Sequence, residues 1–381
     1  MALPTSTDMS TDERPCRFCA KPVSRLVVDL GLSPLCQSQV APGELNQPET
    51  FYPLRAFVCE SCLLMQVHEH VSGEDIFSHY AYFSSFSESW LAHCRDYANR
   101  VIDRLGLTTE SFVVEVASND GYMLRNFVER NIPCLGIEPA ANVADAARQH
   151  GVNSLTRFFG TETALYTVAE YGKADLIAAK NVLAHVPDLN DFVAGLHLLL
   201  ADHGTLTVEF PHVQNLLALN QFDTIYQEHY CYFSLLTLTQ VFRHHKMEIY
   251  DVEKIPTHGG SLRIFVKQQT NEAIAVRSSV RNLLNEERDA GLDDPDRYAA
   301  LQDAANKVKY DLLQFLINAK HDGKHQHNSS NHQPRPKQPR SHAGPIDQPR
   351  PPLCSSRPAR ELRQPYGNTN TGPRPLPSTH G

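Results

Sequence analysis

The sequence predicts an α/β protein: a mostly parallel sheet with helices on both faces, preceded by a small β-rich cysteine module and followed by a low-complexity tail. Three observations carry that expectation. Apolar runs of strand length alternate with helical patterns from about residue 111 to 268. Two Cys-x-x-Cys pairs, Cys16/Cys19 and Cys59/Cys62, stand near the start. After Asp322 the chain turns dense in Pro, Arg, His and Gln and loses valine, phenylalanine and tryptophan.

Each element follows from its residues. Between the cysteine pairs lie short strand-like pieces, SRLVVDLGLSP and FYPLRAFVCES, so residues 14–72 read as a zinc ribbon in which two tight knuckles supply four thiolates. Cys16, Cys19, Cys59 and Cys62 leave no open position on the metal, which makes the site structural; a redox role is disfavoured because neither pair opens a helix in a βαβ setting. Cys36, Cys94, Cys134, Cys231 and Cys354 have no such partners. An aromatic loop, HYAYFSSF, leads into a helix whose apolar positions Trp90, Leu91, Cys94, Tyr97, Val101, Ile102 and Leu105 recur at three and four.

The alternation then begins. SFVVEVA is a buried strand, followed by the turn SNDG and a helix from Tyr122 to Arg130. CLGIEPA is a second strand, with a helix closed by Gly151 after it. ADLIAAKNVLAHV is a third, ending near Lys180, and LNDFVAGLHLLLADHG a helix with Gly204 as its stop. GTLTVEFPH is a further strand, and EIYDVEKI and SLRIFVKQ form a hairpin around PTHGG that adds an antiparallel edge. Arg277 to Lys320 is a charged amphipathic helical stretch, and the tail, 321–381, is too poor in apolar residues to offset the entropy of ordering.

Composition narrows the partners. A net charge of -8 argues against a nucleic-acid binder with a broad basic face, and no apolar run reaches the roughly 18 to 20 residues of a bilayer span. The polar start MALPTSTDMSTDERP lacks a secretory apolar core, so a cytosolic location is expected. Small molecules remain as ligands.

The crevice beyond the strand ends is where such a ligand belongs. Glu115 lies inside the first strand, and Ser118, Asn119, Asp120 and Gly121 form the turn after it. Glu138, followed by Pro139, closes the second strand and suits a ribose diol, because one carboxylate accepts from two vicinal hydroxyls. Glycines are too few for a pyrophosphate cradle, so S-adenosylmethionine fits better than NAD or ATP.

With these motifs in order, residues 14–320 resemble the sugar C-methyltransferases that act at C3 of dTDP-4-keto-deoxysugars. The resemblance rests on the paired CxxC, HYAYFSSFSESW, VVEVASNDGYML, GIEPAANVA, KNVLAHVPDLNDFV, FDTIYQEHYCYFS and PTHGGSLRI. It implies a Rossmann-like, S-adenosylmethionine-dependent domain with a seven-stranded sheet over 73–276, a zinc module before it, and a C-terminal α/β domain beginning with helix at 277–320. It also implies that His229 is the base, with Tyr226 and Glu228 as neighbours and His185 as a second polar group, and that Asn181 joins the cofactor set. The residues themselves place His258 and Arg263 toward the substrate, Arg263 toward a phosphate, and make Tyr80, Tyr82 and Phe83 an aromatic lid over cofactor or sugar.

From the residues alone, other readings stand beside these. A lone histidine among aromatics is commonly core, His185 could cap a helix, THGGSLR could be a tight hairpin with an outward arginine, and the aromatic loop could pin the zinc module in place. The resemblance stops near Ala319–Lys324, where the family continues into a further α/β domain; the tail is therefore expected to be an out-of-frame or otherwise aberrant reading of it.

Overall fold

A computed structural model of the protein describes residues 14–36, 40–73, 76 and 83–324. Tyr80, Tyr82 and the tail beyond residue 324 lie outside the described residues.

The cysteine module opens with β1 (Arg14–Pro15) and β2 (Pro22–Val23), which pair across the first knuckle, and continues with β3 (Arg25–Ser33), β4 (Tyr52–Val58) and β5 (Met65–Val67). Helix α1 (Glu88–Leu105) starts where the Ser87 hydroxyl accepts from the Trp90 amide and stops at Gly106, whose φ of 63° is the left-handed conformation that favours glycine.

The alternating unit follows: β6 (Val113–Val116), α2 (Arg125–Val128), β7 (Cys134–Ile137), α3 (Ala141–Gln149), β8 (Ser154–Leu155), α4 (Thr161–Tyr171), β9 (Ala174–Lys180), α5 (Leu189–Leu199), β10 (Leu200–Pro211) and α6 (Val213–Leu219). After β11 (Cys231–Tyr232) come α7 (Leu235–His244), β12 (Met247–Ile255), β13 (Ser261–Gln268), α8 (Ser278–Asp289) and α9 (Pro295–His321).

The main sheet has seven strands in the order β12-β13-β10-β9-β6-β7-β8. Pairs among β8, β7, β6, β9 and β10 are parallel, and the all-buried VVEV of β6 shows why: a central strand covered on both faces has no polar side. From β6 the chain steps outward through β7 to β8, then crosses back to β9 on the other side of β6. The ends of β6 and β9 are thus the switch point at which an open α/β sheet binds its ligand.

The hairpin adds the expected antiparallel edge, β13 pairing antiparallel with β10 and β12 forming the outermost strand. Three local expectations are corrected. Gly204 is not a helix stop, because the chain is already strand at Leu200, which pairs with Ala174; a Cβ on Gly204 would lie 2.8 Å from the Ala174 carbonyl oxygen. The helix expected from Tyr122 shortens to Arg125–Val128. The 277–320 stretch is two helices, broken at Gly291 (φ 79°) and restarted by Asp294, whose side chain accepts from the Asp296 amide ahead of Pro295 at the first turn.

The cysteine module is not a separate bead. β11 joins its sheet, in the order β11-β5-β4-β3, with Cys231 opposite Gln66 and Tyr232 opposite Met65. Cys16, Cys59 and Cys62 share one apolar core with Tyr230, Phe233, Leu235 and the main sheet. Helix α8 is locked down by Glu287, fully buried, whose carboxylate accepts from the first amides of α7 (Leu235, 2.6 Å; Leu236, 2.8 Å) and contacts His212 Nε2 at 2.7 Å. Helix α9 lies on β3, where Gln302 bonds the Asp29 backbone.

Candidate active site and metal centre

The cofactor crevice is built by consecutive residues. After β6, Ala117, Asn119 and Gly121 take positive φ (57°, 49° and 74°), and the Ala117 and Ser118 amides donate to the Ile137 carbonyl at the end of β7. Glu138, at the end of β7, is fixed by two backbone donors, Asn119 N–H and Ala140 N–H, each at 2.9 Å. Gly136 permits the approach of turn and strand, since a Cβ there would lie 2.3 Å from Ser118 Oγ and 2.8 Å from Ser118 Cβ. Pro139 follows Glu138 into α3, and Asn181, left-handed at φ 50°, hangs from the Glu209 carbonyl by its own amide.

Acceptors dominate this crevice. Glu115 is fully buried with neither oxygen in a hydrogen bond of ordinary geometry, and Ser118 Oγ, Asp120 Oδ1 and Asn181 Oδ1 are likewise buried without one. Burial pushes the Glu115 carboxyl well up, against the pull of the Lys180 ammonium and the Tyr122 hydroxyl. Burial also raises Glu138, opposed by its two backbone donors.

The aromatic lead-in is tied to the same turn. Ser84 N–H donates to Asn119 Oδ1 (2.9 Å) and Ser85 N–H to Asp120 Oδ2 (3.2 Å), directly after the half-buried Phe83.

A histidine cluster is assembled from separate segments. The His229 ring lies between Tyr226 and His185: Tyr226 Oη is 2.7 Å from His229 Nε2, and the His185 ring stands edge-on at 4.6 Å between centroids. His229 Nδ1 is 3.0 Å from the Thr224 carbonyl, which assigns the proton to Nδ1 and leaves Nε2 the acceptor from the Tyr226 hydroxyl. Burial, then His185 and His258, hold His229 well below the usual histidine range, against the Thr224 carbonyl. Burial takes His185 down to about 4, against its bond to the Glu228 backbone. Both imidazoles are neutral at pH 7. His185 does not cap α5, since Asp188 does, accepting from the Asp191 amide at 3.0 Å.

Glu228 is buried next to His229 in sequence; its backbone hydrogen-bonds His185, and its charge adds to the burial that raises Tyr230 and Cys36. Arg263, expected to reach a phosphate, is 1% exposed. Sheet register sets it directly between Glu209 and Glu253, and its Nε and Nη1 donate to them at 2.8 and 3.0 Å. Lys180 also pairs with Glu209, which His93 approaches at 3.0 Å. Burial raises Glu209, but Lys180, His93 and Arg263 outweigh it and hold the carboxylate well below its ordinary range. His258 remains at the rim, exposed, with its ring edge-on to Trp90 at 5.5 Å.

The four cysteines meet as the spacing predicts. Their sulfurs lie within 4.8 Å of one another, with Cys16–Cys62 and Cys19–Cys59 at 3.5 Å. Zn–S bonds of about 2.3 Å require sulfurs about 3.8 Å apart, so the set fits a tetrahedral zinc ion. The knuckles repeat one geometry: Cys16 and Cys59 each accept from the amide four residues on, where Ala20 (φ 58°) and Leu63 (φ 64°) turn left-handed. Gln66 Nε2 donates to Cys16 Sγ at 3.3 Å.

Comparison with known proteins agrees with this geometry. Residues 16–77 match a family model described as a putative zinc binding domain, 90–251 a methyltransferase domain, and 256–327 a C-methyltransferase C-terminal domain. The C-methyltransferase NovU of Streptomyces niveus is 32% identical over 309 residues, 81% of this chain and 73% of that protein. The chain belongs to the C-methyltransferase family.

Among solved structures, magnesium protoporphyrin IX methyltransferase of Synechocystis aligns with 46% of this chain and 81% of its own at 13% identity and a TM-score of 0.36. A possible histamine N-methyltransferase of Thermotoga maritima aligns with 48% and 94% at 16% and 0.36.

As a member of the family the protein is an S-adenosylmethionine-dependent C-methyltransferase. The crevice suits that donor: Glu138 for the ribose hydroxyls, and the acceptors at Glu115, Ser118 and Asp120 for a cationic ligand rich in N–H groups. Among the described residues no helix is long and apolar enough to cross a membrane.

Several residues of the site escaped the sequence reading. Trp90 was legible only as core, yet it stacks on His93 (5.0 Å) and lies 6.0 Å from Tyr122. The Thr224 carbonyl carries no side-chain signal at all. The Lys180–Glu209–Arg263 cluster needed the strand register.

Proposed function

We propose that the chain methylates C3 of a nucleotide-activated 4-keto-deoxysugar, such as a dTDP-sugar, by removing the proton α to the ketone at His229. The Tyr226–His229–Thr224 alignment carries this reading, because a neutral imidazole with its Nδ1 proton held by a carbonyl presents Nε2 as the base.

When bound, S-adenosylmethionine supplies an electrophilic methyl group on a sulfonium. The protein's own residues prepare the carbon. Nε2 takes the α-proton; Tyr226, released from Nε2, donates its hydroxyl to the enolate oxygen; His185 packs against the imidazole that has become cationic. Low local polarity favours this division, since a depressed imidazole pKa returns the proton readily to water between turnovers. His258 at the rim and the Tyr80–Phe83 loop are assigned to the sugar side. That NovU is a C-methyltransferase supports carbon as the acceptor atom.

The test is product analysis with a panel of nucleotide-linked 4-keto sugars and other keto metabolites. A new C-methyl at C3 of the sugar is expected. Methylation at oxygen or nitrogen, or on a different keto metabolite alone, would overturn it.

A further inference from the structure

We infer that Arg17, between the first two metal-ligand cysteines, is a positioning residue that braces the loops carrying His185 and His229 against each other. The inference rests on the reading of those histidines as the proton site.

Arg17 reaches three segments at once. Its Nη1 donates to the Pro187 carbonyl at 2.6 Å, two residues past His185. Its Nη2 donates to the Val67 carbonyl at 3.3 Å, in β5. The guanidinium lies 4.8 Å from the centroid of the Tyr230 ring, one residue past His229. Tyr230 joins the same parts through its backbone: its amide donates to the Ala184 carbonyl (2.7 Å) and its carbonyl accepts from Val67 N–H (3.0 Å).

The knuckle is gripped from the other side too. Asn190 Nδ2 donates to the Arg17 and Phe18 carbonyls at 3.2 and 2.9 Å, and His245 Nε2 holds Asn190 Oδ1 at 2.9 Å. The second knuckle repeats the pattern, the Cys62 carbonyl accepting from Thr237 Oγ1 and Gln240 Nε2 at 3.3 Å each.

No link of this brace touches the Ser118–Gly121 turn or Glu138. Loss of Arg17 therefore moves the imidazoles and spares the cofactor crevice, and displacement of a base by about 1 Å costs up to a hundredfold in rate. Planar, two-pronged donation is specific to arginine, so lysine replaces it only in part.

The experiment compares wild type, Arg17→Met and Arg17→Lys in the full chain. It reads zinc content, S-adenosylmethionine affinity by calorimetry, solvent-deuterium wash-in at C3 of a dTDP-4-keto sugar, and peptide hydrogen exchange. Arg17→Met is expected to hold zinc and bind cofactor within about threefold, to lose about ten- to a hundredfold in wash-in, and to open 183–190 and 226–232 while 113–140 stays protected. Arg17→Lys recovers part of the wash-in. Unchanged wash-in, or parallel loss of zinc and cofactor binding, overturns the inference.

Should Arg17→Met fail to fold, Asn190→Ala removes the brace from the opposite side and must give the same selective loss. If wild type itself shows no wash-in with any 4-keto sugar, the functional reading fails. Peptide exchange then still decides the brace: local opening supports it, and unaltered protection overturns it.

Discussion

The cofactor crevice and the proposed proton site lie in one unit but are built by opposite means. The crevice is made chiefly from one stretch, 113–140, in which strand, turn and strand supply Glu115, Ser118–Gly121 and Glu138 in sequence order, with Asn181 added after β9. The proposed proton site takes His185 from the loop after β9 and Tyr226 and His229 from the segment before β11, with Arg17 of the first metal knuckle reaching the residues next to both histidines. A crevice of local contacts tolerates damage elsewhere. A site of distant contacts inherits the stability of everything that holds it.

Metal removal is the harshest way to break that comparison. Chelation, or Cys59→Ser, is expected to abolish methyl transfer and lower the thermal midpoint, because Cys16, Cys59 and Cys62 share the core with Tyr230 and Phe233. Hydrogen exchange resolved by peptide is the check, and opening should be greater in β5 and β11 than in β6 and β7.

Removing the base alone is next. His229→Ala should cut C3 wash-in about 10²- to 10⁴-fold with cofactor affinity within about threefold of wild type. Because burial depresses the imidazole, wild-type wash-in should not fall near pH 6.5; its acid limb belongs well below, where the folded imidazole first gains a proton. A rate profile with a limb at 6.5 would contradict the assigned environment.

Gly136→Ala damages the other region. Its Cβ displaces Ser118, so cofactor affinity should weaken about tenfold while wash-in at saturating cofactor survives. Calorimetry and wash-in on one preparation test it.

Two pH effects are smaller. Glu115 and Glu138 are raised, and a cationic, hydroxyl-rich ligand favours their charged forms, so binding should release protons and tighten as pH rises. Calorimetry in buffers of different ionisation enthalpy measures the release. His185 titrates at about 4 folded against about 6.5 unfolded, so the unfolded chain binds more protons between those values and stability should fall as pH drops through that window. Denaturant midpoints across it, compared with His185→Gln, isolate the contribution.

What the sequence disclosed follows the same division. The CxxC pairs and the Glu115–Glu138 frame were legible because spacing along the chain sets their geometry in space. The strand at Leu200 was hidden by an apolar run that fits a helix equally well, until pairing with Ala174 decided it. Arg263 in THGGSLR read as a phosphate partner or an outward hairpin residue, since nothing local shows that register places it between two glutamates. Arg17, far from His229 in sequence, lies over the ring of its neighbour Tyr230. Proton-site residues were visible as types; their partners were not, because long-range packing chooses them.

The central claim is that proton abstraction and cofactor capture are separately built. Its most direct test is solvent-deuterium wash-in at C3 of a 4-keto nucleotide sugar, followed as cofactor is raised to saturation, for Gly136→Ala and His229→Ala beside wild type. Gly136→Ala should climb to the wild-type rate and His229→Ala should stay flat. Recovery of His229→Ala to that rate, or failure of Gly136→Ala to recover, would contradict the account.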